Sequence, residues 1–155
     1  MELQTTRFGR LETLEIPEEV VLEFPHGLPG FESHKSFALI EDAHYLPFRW
    51  LQCLVDPHVT FMVIDPELVV GRFRLSLADL DVECLELLES EAPEILCIIV
   101  MPEDPWSATI NLKAPILVNR SRQRGKQVIL TDEHYPLRYP AFRPGSTQKP
   151  AAGPC

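Results

Sequence analysis

The chain has 155 residues, of which 45% are hydrophobic and 24% are charged, a composition typical of one soluble globular domain. No apolar run approaches the roughly 20 residues that a membrane-spanning helix needs, and the N-terminus lacks the pattern of a secretory signal. We therefore expect a cytoplasmic protein without a membrane-spanning segment.

The net charge of −9 is unevenly distributed along the chain. Residues 1–112 carry 6 Lys+Arg against 21 Asp+Glu, whereas residues 113–155 carry 8 against 2. An acidic body repels phosphate backbones and favours basic protein partners. The basic end, from Lys113 to Lys126 and beyond, has no aromatic stacking partners in a recognised motif, so solvated turns and a solubilising tail are the preferred interpretation over nucleic-acid binding.

Short extended segments fill the first half of the chain. The pattern predicts strands over residues 2–6, 10–16, 19–24, 36–40, 46–54 and 59–64. The last of these is a nearly continuous apolar run, which is typical of a strand buried on both faces. Between the third and fourth strands, Pro29 and Gly30 suit the central positions of a type II turn, because glycine readily takes the positive φ of the second position.

One short helix is predicted after Ser76, which can cap its first turn together with Asp79. Apolar residues then recur at helical spacing, at Leu77, Leu80, Cys84 and Leu88. Seven carboxylates surround this helix: Asp79, Asp81, Glu83, Glu86, Glu89, Glu91 and Glu94. Such a block is either a solvated helix face or a patch for a basic partner; a catalytic carboxylate pair is disfavoured because it would need burial to separate the two pKa values.

Residues 94–101 form the most apolar predicted strand, and a loop with Trp106 follows it. Trp106 fits two interpretations equally well, an exposed anchor of a protein interface or a core aromatic that covers one end of a barrel.

The extended segment of residues 109–119, followed by a second extended run over residues 127–130, predicts a β-hairpin. Pro115 interrupts the first run, and proline cannot donate to a sheet ladder, so it predicts a sheet edge or a sharp bend. An edge is either shielded or used as a docking site for another chain.

Together these elements predict an all-β domain, mainly antiparallel, folded as a compact small barrel or sandwich with one short helix over residues 1–142. Residues 143–155 are rich in Pro and Gly and cannot bury enough apolar surface to become ordered, so a disordered tail is expected.

No catalytic motif is present in the sequence. The four cysteines, Cys53, Cys84, Cys97 and Cys155, include no CxxC pair and are predicted to be reduced. The five histidines fall in loop-like stretches without the spacing of zinc ligands: His26, His34, His44, His58 and His134. We therefore expect no enzymatic activity, no cofactor and no metal site.

Several short motifs follow one another along the chain: Thr5 to Gly9, Phe24-Pro25-x-Gly27-Leu28-Pro29-Gly30-Phe31, Leu51-Gln52, Asp56-Pro57, Phe61, Asp65-Pro66, Asn111-Leu112-x-Ala114-Pro115-Ile116, Asn119, Gly125-x-Gln127-Val128-Ile129-Leu130 and Tyr135-Pro136. In their order and spacing they resemble the motifs of the bacterial flagellar assembly factor family FliW. The resemblance spans residues 3–139. Cys53 stands where the family commonly has Ser, and the tail beyond Arg143 has no counterpart in the shortest members.

The resemblance implies a non-enzymatic cytoplasmic protein with a barrel-like β fold. Proteins of this family bind flagellin before its export. They also bind the translational regulator CsrA, and this binding relieves the repression of flagellin mRNA by CsrA. A CsrA-binding site is expected around Asp79, Asp81 and Glu83, because an RNA-binding regulator must present a basic surface. A second docking site is expected at the predicted edge, with Asn111, Lys113, Pro115 and Asn119, and Trp106 is a further candidate contact.

Two alternatives remain open at this point. One is a small β-barrel enzyme or ligand carrier with a loop-lined pocket, which would need His26, His58 and Asp65 to converge. The other is a nucleic-acid binder that acts through the stretch from Lys113 to Lys126. The chain is expected to be a monomer on its own.

Overall fold

The computed structural model describes residues 1–142, which fold mainly into short β-strands. The strands are β1 (Glu2–Thr5), β2 (Glu12–Glu15), β3 (Val21–Glu23), β4 (Ser36–Glu41), β5 (Arg49–Cys53), β6 (Thr60–Ile64), β7 (Glu94–Val100), β8 (Thr109–Ile110), β9 (Ile116–Asn119), β10 (Arg124–Gln127) and β11 (Tyr139–Pro140). Two short helices, α1 (Glu67–Val70) and α2 (Asp79–Cys84), lie between β6 and β7. Single 3-10 turns occur at Glu18–Val20 and Pro105–Ser107.

Seven of the strands close into a barrel in the order β7-β6-β5-β4-β3-β10-β9, and β9 pairs back onto β7. All neighbouring strands are antiparallel except β3 and β10, which are parallel. The closing register places Leu96 opposite Ile116 and Glu94 opposite Val118. The predicted all-β, mainly antiparallel barrel is therefore confirmed.

A glutamine at the tip of the β9–β10 hairpin fastens this hairpin to β3. The Gln123 side-chain amide donates to the carbonyls of Glu18 at 2.9 Å and Val21 at 2.8 Å. The Gln123 carbonyl accepts from the Glu23 N–H at 2.9 Å. The parallel ladder itself is short, with Arg124 opposite Glu23. These side-chain bonds therefore supplement the few backbone bonds that hold β3 against β10.

Strand β4 is buried on both faces because the β1–β2 hairpin covers the outside of the barrel there. Phe37 and Leu39 point into the barrel core, whereas Ala38 and Ile40 pack in a separate cluster with Trp50 under the hairpin. Successive side chains of a strand point to opposite faces. The apolar run of β4 thus contributes side chains to two hydrophobic clusters, one inside the barrel and one under the hairpin.

A buried amide joins the hairpin to the barrel. Gln52, on β5, is fully buried, and its Oε1 accepts a hydrogen bond from Thr5 Oγ1 at 2.5 Å. Its Nε2 donates to the carbonyls of Cys53 at 3.1 Å and Asp56 at 3.2 Å. Because a buried polar group without partners is costly, these bonds favour one position of the hairpin.

The loop before β4 is set by its glycines. Gly30 has φ +85°, which supports the predicted turn. Gly27 has φ +64°, and a Cβ there would lie 2.7 Å from the Glu32 backbone. Leu28 is buried in the barrel core. The loop is thus explained by backbone geometry and packing.

Three predictions about the helical region were wrong: the number of helices, the start of the helix and its buried apolar stripe. The structure has two short helices rather than one, and α2 begins after Ala78 rather than at Ser76, because the Asp81 carboxylate accepts the Ala78 N–H at 3.3 Å. Leu80 and Leu88 are 72% and 58% exposed. The six-residue helix is too short to present the predicted apolar stripe, and the apolar residue buried at its end is Leu85.

The hairpin is also placed differently. Its first strand is β9, its second begins at Arg124, and residues 109–110 belong instead to β8. Beyond the named strands, the Val128 N–H donates to the Pro115 carbonyl at 3.0 Å. The predicted tail, residues 143–155, lies outside the described residues.

The predicted sheet edge over residues 111–119 is wrong for its second half, because β9 has a paired strand on each side. In an antiparallel ladder, paired residues exchange two bonds, so the N–H that Pro115 lacks would have faced Val128. Pro115 therefore lies within the hairpin, where its missing N–H leaves one backbone hydrogen bond to Val128 unformed.

Candidate protein-binding surface

The acidic segment (residues 79–94) lies across the basic β9–β10 hairpin, and the two are connected by salt bridges. We call these four pairs the ion-pair ladder: Asp81–Lys126 at 2.6 Å, Glu86–Arg124 at 3.6 Å, Glu91–Arg122 at 2.9 Å and Glu94–Arg120 at 2.7 Å. Arg124 and Lys126 lie on one face of β10, as alternate residues of a strand do, whereas Arg120 and Arg122 belong to the turn between β9 and β10. The charge asymmetry of the sequence is thus partly neutralised within the molecule.

A hydrogen bond fixes the middle of the acidic segment. Asn119 is buried, and its side-chain amide donates to the Leu85 carbonyl at 2.7 Å. The Leu85 side chain is fully buried at the same place. Glu86 follows with φ +54°, a conformation that ends the helix and turns the chain. Asn119 therefore has a structural role, and its amide is not available to a partner.

Glu94 is the most heavily bonded carboxylate of the ladder. Its Oε1 accepts from Arg49 at 3.0 Å and from Arg120 at 2.7 Å, and its Oε2 accepts from Arg120 Nε at 3.1 Å. Burial alone would raise the pKa of Glu94, but the hydrogen bonds from Arg120 and Arg49 outweigh it, so the pKa is lowered. The same pair raises the pKa of Arg120. This carboxylate sits where β7 and β9 close the barrel.

The outward side of the acidic segment is left without basic partners. Among the described residues, Asp79, Glu83 and Glu89 have no salt bridge, and all three are exposed. The exposed side chains of Leu80 and Leu88 belong to the same segment. We call these five residues the acidic–apolar surface. Its unpaired carboxylates and exposed leucines can contact a basic partner that also carries apolar groups.

Asp81 differs from its two predicted neighbours. Its side chain is half-buried and paired with Lys126, whereas Asp79 and Glu83 face solvent. The three predicted residues are thus brought onto one helix, but only two of them offer a free charge.

The predicted docking residues of the 111–119 segment differ in burial and in structural role. Pro115 and Asn119 are buried, and Asn111 accepts the Ala114 N–H at 3.0 Å to shape a turn. Lys113 is exposed, and it lines an open cleft of about 560 Å³ together with Ile129 and Leu137. Ile129 and Leu137 are themselves exposed.

Sequence reasoning missed the contribution of Ile129 and Leu137 to this surface. Ile129 was placed in a predicted strand whose orientation was open, and Leu137 lies in a proline-rich stretch without periodicity. Apolar residues in a stretch without strand or helix periodicity were the one sequence signal of an exposed apolar surface.

Trp106 is 39% exposed, and its ring meets the edge of Phe142 with centroids 5.9 Å apart. The side chain thus combines a packed face with an exposed one. A role of Trp106 as an interface anchor stays a prediction.

The geometry does not support a catalytic pocket built from His26, His58 and Asp65. His58 precedes β6 and Asp65 follows it, so they lie about 20 Å apart at roughly 3.3 Å per strand residue. Residues 1–142 contain no group of three His, Cys, Asp or Glu side chains suited to a metal ion. In the same range, no helix is long and apolar enough to cross a membrane.

The hairpin cations do not form a free basic patch either. Arg120, Arg122, Arg124 and Lys126 all engage carboxylates of the ladder. This argues against phosphate binding by that stretch.

Comparison with known proteins agrees with the motif resemblance. The family model described as FliW protein matches residues 2–141. Flagellar assembly factor FliW of Caldicellulosiruptor saccharolyticus is 38% identical over 129 residues, covering 83% of this chain and 84% of the relative. The protein of the same name from Desulfitobacterium hafniense strain Y51 is 35% identical over 142 residues, covering 92% and 91%.

A solved structure described as the crystal structure of the flagellar assembly factor FliW superposes with a TM-score of 0.83 at 28% identity. It matches 94% of this chain and its own full length. The fold of this chain therefore occurs in a protein of known structure. The chain belongs to the FliW family of flagellar assembly factors.

Proposed function

We propose that this protein is a cytoplasmic, non-enzymatic assembly factor that binds flagellin and binds the translational regulator CsrA, thereby antagonising repression of flagellin mRNA. Family membership supports the role in flagellar assembly. The acidic–apolar surface is the observation that favours CsrA as a partner, because an RNA-binding regulator carries a basic face. A docked acidic protein repels RNA even where it does not cover the whole RNA site.

Asp79 and Glu83 are the residues on which we place CsrA binding, with Leu80 between them as the apolar contact. Asp81 holds Lys126 and supports the helix. Buried apolar side chains near the centre of an interface contribute much of its binding energy. Leu80 is well placed for this role, since it is exposed between two unpaired carboxylates.

Charge reversal on the outward face of α2 tests this site. We expect Asp79→Lys combined with Glu83→Lys to weaken CsrA binding at least about tenfold in a calorimetric titration, with the unfolding midpoint unchanged because neither residue is in the ladder. The matched control is Glu2→Lys combined with Glu133→Lys, which changes the net charge equally at other exposed positions. Equal affinity of the two double variants would remove this surface from the proposal.

Flagellin binding is proposed at the cleft lined by Lys113, Ile129 and Leu137, with Trp106 as a separate candidate contact. Exposed apolar side chains around a cleft favour contact with an apolar protein segment. We expect Ile129→Ser and Leu137→Ser to lower flagellin affinity in a pull-down with purified flagellin while CsrA binding persists. Retained flagellin binding in the combined variant would place the contact elsewhere.

A further inference from the structure

A second cleft lies beside the N-terminal hairpin and is separate from both surfaces described above. It has a volume of about 470 Å³, and Leu14, Glu15 and Asp42 are among the residues that line it. One wall is formed by the end of β2 and the residues that follow it, and the other by the end of β4 and the residues that follow it. The cleft is open to solvent and combines apolar and charged side chains.

Strand β2 has a free edge. It pairs only with β1 among the described residues, and the Ile16 N–H donates to the Met1 carbonyl at 2.9 Å. In an antiparallel pair, the residues that bond to the partner strand alternate with residues that face away. The register therefore turns the backbone groups of Thr13 and Glu15 outward, where they can pair with another extended chain.

Arg7 supplies an independent argument that this cleft binds a ligand. Its side chain is 5% exposed and lines the cleft, held by Glu12 at 3.0 Å and Asp42 at 3.4 Å. Its guanidinium also stacks over the rings of Phe8 and Trp50. Nη1 is buried and has no hydrogen-bond acceptor within residues 1–142. A buried donor without an acceptor costs free energy, and a bound carbonyl oxygen would relieve that cost.

The charge of the cleft selects the occupant. The carboxylates of Glu15, Glu41 and Asp42 line it, and Glu19 lines an adjoining cleft that shares Arg120 with it. Four cations at this place are engaged by carboxylates: Arg7 by Glu12 and Asp42, Arg120 by Glu94, the Met1 ammonium by Glu15 at 2.8 Å, and Arg49 by Glu94 and, at 3.9 Å, by Glu41. The carboxylates outnumber these cations by six to four: Glu12, Glu15, Glu19, Glu41, Asp42 and Glu94. The remaining potential is negative and attracts basic side chains.

We propose that this cleft binds an extended, basic peptide segment of a partner protein, which adds as a strand to the free edge of β2. The segment pairs with the backbone of Thr13 and Glu15, directs basic side chains towards Glu41 and Glu15, and offers a carbonyl oxygen to Arg7 Nη1. Strand addition draws affinity from main-chain hydrogen bonds and specificity from alternate side chains. The short length and charges of β2 would by themselves protect an edge from aggregation, but they leave the unsatisfied donor of Arg7 unexplained.

The test uses the full chain and fluorescently labelled eight-residue peptides at physiological salt. We expect a peptide of alternating Val and Lys to bind at least about tenfold tighter in fluorescence anisotropy than one of alternating Val and Glu. N-methylation of every second peptide residue should abolish binding when the methylated residues are those whose N–H groups face β2. Methylation of the other set, whose N–H groups face away from β2, should leave binding intact. In NMR spectra, the Val/Lys peptide should shift the amide signals of Thr13 and Glu15.

Two variants separate edge pairing from general attraction by an acidic protein. Thr13→Pro removes the outward N–H without removing a bond to β1, so binding should be lost, whereas Thr13→Ala should retain it. Glu41→Gln should weaken binding, and Glu89→Gln, in the acidic segment, should not. Should Thr13→Pro bind like Thr13→Ala, should the amide shifts fall on residues 79–94 instead, or should only RNA or anionic vesicles be bound, the proposal would be wrong.

Discussion

Replacing Glu94 by Gln removes the charge on which two arginines converge at the closing seam of the barrel. Arg49, which is 12% exposed, then keeps Glu41, at 3.9 Å, as its one carboxylate partner in the described part of the chain. Arg120 loses a two-point contact, because an amide offers one acceptor oxygen where the carboxylate offers two. The variant keeps the size of the side chain, so any loss of stability comes from charge and hydrogen bonding.

The magnitude follows from the burial of the cluster. Exposed ion pairs contribute about 0–1 kcal/mol, and truncating one partner of a fully buried pair costs about 3–5 kcal/mol. Glu94 is 29% exposed and Arg49 less so, which places the cluster between these limits. We expect the free energy of unfolding at pH 7 to fall by about 2 kcal/mol, equivalent to a loss of about 6–7 °C in Tm for a domain of this size.

The pH dependence gives the sharper test. The folded-state pKa of Glu94 is lowered, so its contribution is present above the pKa of the unfolded chain and is lost as pH falls through the folded pKa. The stability difference between wild type and Glu94→Gln should therefore be constant near neutral pH and shrink below about pH 4. Urea denaturation across this range measures it, with Glu89→Gln as the unpaired control. A Glu94→Gln protein as stable as the Glu89→Gln control, or a difference that does not change with pH, would refute the reasoning.

Three further outcomes are expected. Gly125→Ala should destabilise the barrel by about 1–3 kcal/mol or more in urea denaturation, because the new Cβ would collide with the ring of Phe24, which is fully buried; a Phe24→Leu background should recover part of the loss, and no recovery would contradict this contact. Asn119→Ala should lower the free energy of unfolding by about 1–3 kcal/mol, because the Leu85 carbonyl loses its hydrogen-bond donor. Faster hydrogen exchange in residues 79–94 should accompany this loss. In a Cys155→Ser background, Cys97 should resist iodoacetamide at pH 8 until the protein unfolds, because burial raises its pKa to about 12; fast labelling of Cys97 in the native protein would oppose this.

The sequence was sufficient for the class of fold because strand periodicity and turn residues are local signals. The run of β4 and the Pro29–Gly30 turn illustrate this, since each depends on neighbours in the chain. Barrel closure by β7 and β9 was not predictable in this way. It depends on a pairing between distant strands, and Pro115 was consistent with an edge until its partner strands were known.

The candidate site was only partly predictable for the same reason. The acidic block was visible in the sequence, but which carboxylates remain free depends on the hairpin that lies beneath them. Asp81 and Glu83 look equivalent in the sequence, yet one is paired and the other faces solvent. Helical spacing also misplaced Leu80, because a helix of six residues is too short to bury a stripe.

The pairing of β3 with β10 joins residues about a hundred positions apart, with Arg124 opposite Glu23. During synthesis, β3 to β7 can emerge and pair with one another while the barrel still lacks its last two strands, β9 and β10. Topologies dominated by such distant contacts fold slowly, in about milliseconds to seconds. Until the ribosome has delivered the β9–β10 hairpin, the nascent chain carries an open β-sheet with apolar faces, so the final third of the chain controls when this protein becomes safe from aggregation.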